Sequence, residues 1–168
     1  EGRMFRHPSH GPSPRTEAYY AYLAVSVAFM SSVSLGIARG AGDELRTILG
    51  AKLGRGDGRP LAEDPEKQTE LARADTLVSS ASTYLHHLLD DIWTSVQDGR
   101  RPSRETRGRF RAACTHAVHA SVQAVDLCYA SAGTTSIYIS SPLERHFRDI
   151  HTAAAHAFMR PASLSDAG

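Results

Sequence analysis

Ser140-Ser141-Pro142-Leu143-Glu144-Arg145-His146-Phe147-Arg148-Asp149-Ile150-His151-Thr152-Ala153-Ala154-Ala155-His156-Ala157-Phe158-Met159 reads as a helix with a marked start. Ser141 can cap the first turn, Pro142 suits the first helical position, and Glu144 completes a capping box with Ser141. Glu144 with Arg148 and Arg145 with Asp149 are acid–base pairs four residues apart, so each pair meets on one helix surface. The unit Arg145-x-x-Arg148-Asp149 is therefore a rigid frame. Behind it, small residues from Thr152 to Ala157 leave room beside the helix for a bulky neighbour, either another helix or a flat ligand. His146, His151 and His156 rotate by roughly 140° from one to the next, so all three cannot address one ligand.

Working back from this helix, the chain divides into three more. The first opens near Ser13-Pro14 and ends among Gly50, Gly54, Gly56, Gly58 and Pro60. The second opens at Asp64-Pro65, carries an apolar stripe through Leu71, Ala74, Leu77, Val78, Ala81, Leu85, Leu88 and Ile92, and stops at Gly99. The third runs from Pro102-Ser103 to Gly133. No stretch alternates as a strand would, and the segment Thr134–Ile139 reads as a loop. Mostly short connections make neighbours antiparallel, so the expected fold is all-α: an antiparallel up-down-up-down four-helix bundle. Residues 1–13 are expected to be a linker or cut end, 14–160 the bundle, and 161–168 a tail.

The segment Ala18–Ala38 contains no charged residue. A helix apolar on all sides has to be covered on all sides, and one bundle covers only part of it. The expectation is a soluble homo-oligomer, a dimer or tetramer, in which a second subunit covers the rest. Small polar residues such as Ser31, Ser32 and Ser34 favour this tight packing over membrane insertion.

Composition narrows the remaining classes. With 168 residues, 41% hydrophobic content and a formal net charge of +1, the chain can build a core and has no basic excess to steer it to nucleic acid. The local basic run Arg100 to Arg109 sits at a helix junction and reads as a solvated turn. Cys114 and Cys128 lie on one expected helix, ~21 Å apart at about 1.5 Å per residue, and cannot pair within it. That pattern, without a secretory signal, suits a reducing cytoplasm. No Glu is followed by His three positions later, which leaves no ferritin-like di-iron pattern. His116 with His119, and His86 and His87 with Asp90 and Asp91, lack a matched third ligand helix, so no metal is expected.

The final helix also carries a resemblance. Pro142-Leu143-x-Arg145-x-x-Arg148-Asp149-Ile150-His151, with His156 beyond it, resembles the last helix of the two-component flavin-dependent monooxygenases that share the acyl-CoA dehydrogenase fold. The stretch Leu35-Gly36-Ile37-Ala38-Arg39-Gly40-Ala41 is similar to that family's first bundle helix, and Ala130-Ser131-Ala132-Gly133 to its turn into a flavin-side loop. The resemblance covers the chain as the C-terminal helical domain of a larger enzyme. It implies reduced FMN or FAD supplied by a separate flavin reductase, O₂, and a small aromatic substrate.

The resemblance also implies site residues. His156 lies at the position set against the flavin's reactive edge, where an imidazole with an ordinary pKa of about 6.5 can take a proton from a phenol or hold one at that edge. His151 is the second candidate for the catalytic role. Thr134, Thr135 and Ser136, with Arg148 of the frame, are the candidates for cofactor binding. Many acyl-CoA dehydrogenases place a Glu-Gly-Thr just after the His156 position, the Glu being their base; here Ala157-Phe158-Met159 stands instead. That favours oxygenation over an acyl-CoA dehydrogenase-type reaction. A non-catalytic oligomerisation or regulatory bundle remains the alternative from a different class.

Overall fold

The structure, a computed structural model, describes residues 23–54 and 58–159. Four helices account for most of them: α1 (Leu23–Ala51), α2 (Pro65–Gln97), α3 (Arg104–Ser131) and α4 (Pro142–Ala154). Short 3₁₀ turns sit at Leu61–Glu63, Gly133–Thr135 and Ala157–Met159. No strand occurs among the described residues; a lone bridge joins Leu53 to Pro60. The expected opening of α1 near Ser13-Pro14 and the expected tail lie outside the described residues.

Local chemistry sets the helix ends. The Asp64 carboxylate accepts the Glu66 N–H at 2.8 Å with Pro65 in the first turn, and the Ser103 hydroxyl accepts the Thr106 N–H at 3.0 Å. Each satisfies a donor that the helix itself leaves unpaired. Gly99 adopts φ +69° after α2 and Gly133 φ +61° after α3, a conformation that side chains with a Cβ resist.

The start of α4 differs from the expected capping box. Ser141 is the N-cap residue, but its hydroxyl is buried and makes no hydrogen bond. The Glu144 N–H bonds instead to the Ser141 carbonyl at 3.1 Å, closing the turn through the backbone. The Glu144 carboxylate is drawn forward by charge, accepting from Arg148 Nε at 2.6 Å. Arg145 and Asp149 pair at 3.5 Å as the frame requires. The helix also stops at Ala154, short of the expected run to Met159.

α3 lies at the centre and packs against α1, α2 and α4. Its alanines Ala113, Ala117, Ala120 and Ala124 are buried, which lets the neighbouring helices approach closely, while Phe110, Val118 and Val125 fill the layers between. α4 seals one side through Leu143 and Ile150, both 0% exposed. Where α4 meets α1, the His146 ring lies over Gly40: a Cβ there would come within 3.0 Å of His146 Cε1. α1 and α2 meet through polar groups, with Arg39 donating to Ser82 Oγ at 3.1 Å and Arg46 bridging to Asp75. No helix of the described residues is long and apolar enough to cross a membrane.

Candidate functional site

The histidines of the α4 segment diverge as helical geometry requires. His146 turns to Gly40 of α1. His151 turns to α3, where its Nε2 is 2.9 Å from Asp126 Oδ1. Its ring packs on Phe147 with centroids 4.4 Å apart, and Phe147 packs in turn on Tyr129 at 4.5 Å. One nitrogen of His151 is thus engaged by a carboxylate, and one face of its ring by an aromatic.

His156 lies beyond the end of α4, in the turn leading to Ala157–Met159, and is exposed. The turn is closed by its backbone: the Ala155 N–H bonds to the His151 carbonyl at 3.2 Å, His156 N–H to Ala153 at 3.2 Å, and Met159 N–H to His156 at 2.9 Å. Met159 is fully buried and its carbonyl accepts from His119 Nε2 of α3 at 3.0 Å.

The hydroxyl loop stands at the other end of α4. Thr134 is exposed, whereas the Thr135 hydroxyl accepts from the Lys52 ammonium, which also donates to the Ala132 carbonyl at 3.4 Å. Ser136 is 1% exposed and donates to the Gly133 carbonyl at 2.6 Å, locking the turn. Next to this turn, Ser131 donates to Glu70 at 2.5 Å and Lys67 pairs with the same carboxylate at 3.0 Å. The Ser131 hydroxyl, then Lys67, hold the Glu70 carboxyl below its ordinary pKa. Arg148 is exposed and engaged by Glu144, whose hydrogen bond raises the guanidinium pKa further.

α4 therefore separates the two groups of candidates. Thr134, Thr135 and Ser136 precede it while His151 and His156 lie at or past its end, ~20 Å away for thirteen residues at about 1.5 Å each. One ligand touching both groups must extend along the helix. Sequence reasoning missed Lys52, Asp126 and His119. The sequence marks Lys52 only as the last cation before the glycine-rich stretch, and offers His119 only as a metal ligand beside His116. Among the described residues no group of His, Cys, Asp and Glu forms a metal-binding cluster. Surface clefts of about 670, 510 and 320 Å³ run along α2 and the α1–α2 groove, and no α4 or loop residue lines them.

The described residues form an all-α bundle whose last helix and flanking turns carry exposed polar groups. The family described as acyl-CoA dehydrogenase, C-terminal domain, matches residues 28–161, and the chain belongs to it. It is 30% identical over 159 residues to an indole-3-acetate monooxygenase of Acinetobacter baumannii, covering 94% of this chain and 41% of that protein. It is 28% identical over 149 residues to the oxygenase component of p-hydroxyphenylacetate 3-hydroxylase from the same organism, covering 88% of this chain and 35% of that one. Among solved structures, XiaF from Streptomyces sp., in complex with FADH2 and glycerol, superposes with a TM-score of 0.80 at 21% identity over 96% of this chain and 41% of that chain. The chain thus spans about two fifths of the relatives' length.

Proposed function

We propose that this chain is the C-terminal domain of a flavin-dependent monooxygenase that takes reduced FMN or FAD from a separate reductase and hydroxylates a small aromatic substrate. The relatives named above support the reaction class. The single observation that carries the reading on this chain's own residues is the placement of His156, in an exposed turn past the end of α4 whose backbone is held on both sides. Ala157 follows it, so the carboxylate base of an acyl-CoA dehydrogenase is missing from that position.

The residues present suit a flavin nucleotide, whose extended shape matches candidates spread along one helix. Lys52 is half-buried and no carboxylate among the described residues pairs with it, so its charge is available to a phosphate beside the exposed Thr134 hydroxyl. Bound reduced flavin would supply the reaction with O₂. The protein's share is positioning and proton control: Lys52 and the Thr134–Ser136 turn hold the ligand's anionic end, and a ring nitrogen of His156 takes or gives the proton at the reacting end. α1 leaves Phe29 62% and Val33 60% exposed, and we assign this face to contact with a second subunit. The two free, buried thiols accord with a cytoplasmic protein.

The test is His156→Ala in the full-length protein. Substrate hydroxylation should slow by roughly 10²–10⁴, with reduced-flavin affinity little changed. His156→Asn should lose nearly as much, since an amide cannot cycle a proton. Wild-type rates in both variants would remove His156 from the mechanism, and a loss confined to His151→Ala would move the role there.

A further inference from the structure

The turn that presents His156 is tied to α3 at both of its ends. On the near side, His151 is fixed to Asp126 at 2.9 Å, and the carbonyl of His151 receives the Ala155 N–H that closes α4. On the far side, Met159 is buried and its carbonyl accepts from His119 Nε2 at 3.0 Å. His119 and Asp126 sit two turns apart on one helix, the central and most buried element of the fold. The seven residues from Thr152 to Phe158 are strung between them.

From this arrangement we propose that His119 is a positioning residue for His156, acting through the Met159 carbonyl; the inference rests on the proton-handling role given to His156 above. Without the anchor, the alanine-rich segment has little to stop it. Ala153, Ala154, Ala155 and Ala157 have the highest helix propensity of any residue and would let α4 wind onward, carrying His156 round the helix axis. The buried Met159 side chain fixes where the segment ends, and the His119 hydrogen bond fixes its backbone orientation there. Because the carbonyl can only accept, His119 must carry its proton on Nε2. A catalytic group displaced by about 1 Å loses on the order of 10²-fold in rate, so a lost anchor is visible in kinetics even when the fold survives.

The experiment is a cycle in the full-length protein with reduced flavin, O₂ and an aromatic substrate. His119→Ala should slow the oxygen-transfer step by roughly 10- to 100-fold and leave reduced-flavin affinity unchanged. His119→Gln keeps an N–H at nearly the same reach and should restore most of the rate. In a His156→Ala background, His119→Ala should cost nothing more, because the group it positions is gone. The same fractional loss in both backgrounds would show a general structural role and overturn the proposal, as would a Gln variant no better than Ala. Should His119→Ala fail to fold, His119→Gln against His119→Leu makes the same comparison. A slow His156→Ala beside a wild-type His119→Ala rejects the positioning role alone. A wild-type His156→Ala rejects the reading of His156 first.

Discussion

Gly36 and Gly40 stand four residues apart on α1 and should respond in opposite ways to the same added methyl. At Gly36 a Cβ would meet nothing within 4 Å. Gly36→Ala therefore gains only helix propensity, about 1 kcal/mol, which for a chain of this size raises Tm by roughly 2–4 °C. At Gly40 the Cβ would stand 3.0 Å from His146 Cε1 and 3.2 Å from Nε2, inside the normal carbon contact distance. The helix cannot recede freely, because Leu143 and Ile150 on either side of His146 are fully buried and hold α4 in place, so the ring itself has to give by a few tenths of an ångström. Overpacking of this kind costs ~1–3 kcal/mol, so after the propensity gain Gly40→Ala should be about 1 kcal/mol less stable than wild type. The two variants then differ by ~2 kcal/mol, measured by thermal unfolding under far-ultraviolet circular dichroism. In a His146→Ala background the methyl has room, and Gly40→Ala should become stabilising. Gly40→Ala as stabilising as Gly36→Ala with His146 intact would refute the contact and the helix-to-helix approach drawn from it.

Other consequences concern titration and thiols. Because the Ser131 hydroxyl and then Lys67 lower the folded pKa of Glu70 from 4.5, its contribution is present above that pH and is lost as pH falls through the folded value. Ser131→Ala should therefore flatten the acid limb of a stability-versus-pH curve, and parallel curves would show that the hydrogen bond does not hold the carboxylate. Burial pushes the thiol of Cys114 up to about 12 and that of Cys128 to about 11. Neither should react with a thiol reagent in the native protein near neutral pH, and both should on unfolding. Rapid native labelling of either would contradict the packing of α3.

The helix starts were legible because they depend on neighbours in sequence: Asp64 with Glu66, Ser103 with Thr106, Pro142 at the head of α4. The divergence of His146 and His151 was legible for the same reason, being a matter of helical period. Ser141 shows the limit of local rules, since its hydroxyl is buried and Arg148 competes for the carboxylate that a capping box needs. The end of α4 shows another, because alanine propensity argues for continuation and the buried Met159 with His119 overrides it. Site contacts that join distant segments left no local trace: Lys52 reaches Thr135 across 83 residues, and His151 reaches Asp126 across 25.

The central claim is that this domain serves an oxygenation, and the fate of dioxygen tests it most directly. The full-length protein should be given reduced flavin from a separate reductase, an aromatic substrate and isotopically heavy O₂, and the product examined by mass spectrometry. The account predicts a hydroxylated product carrying a single oxygen atom from O₂. Product formed by dehydrogenation without added oxygen, or with oxygen drawn from water, would contradict it.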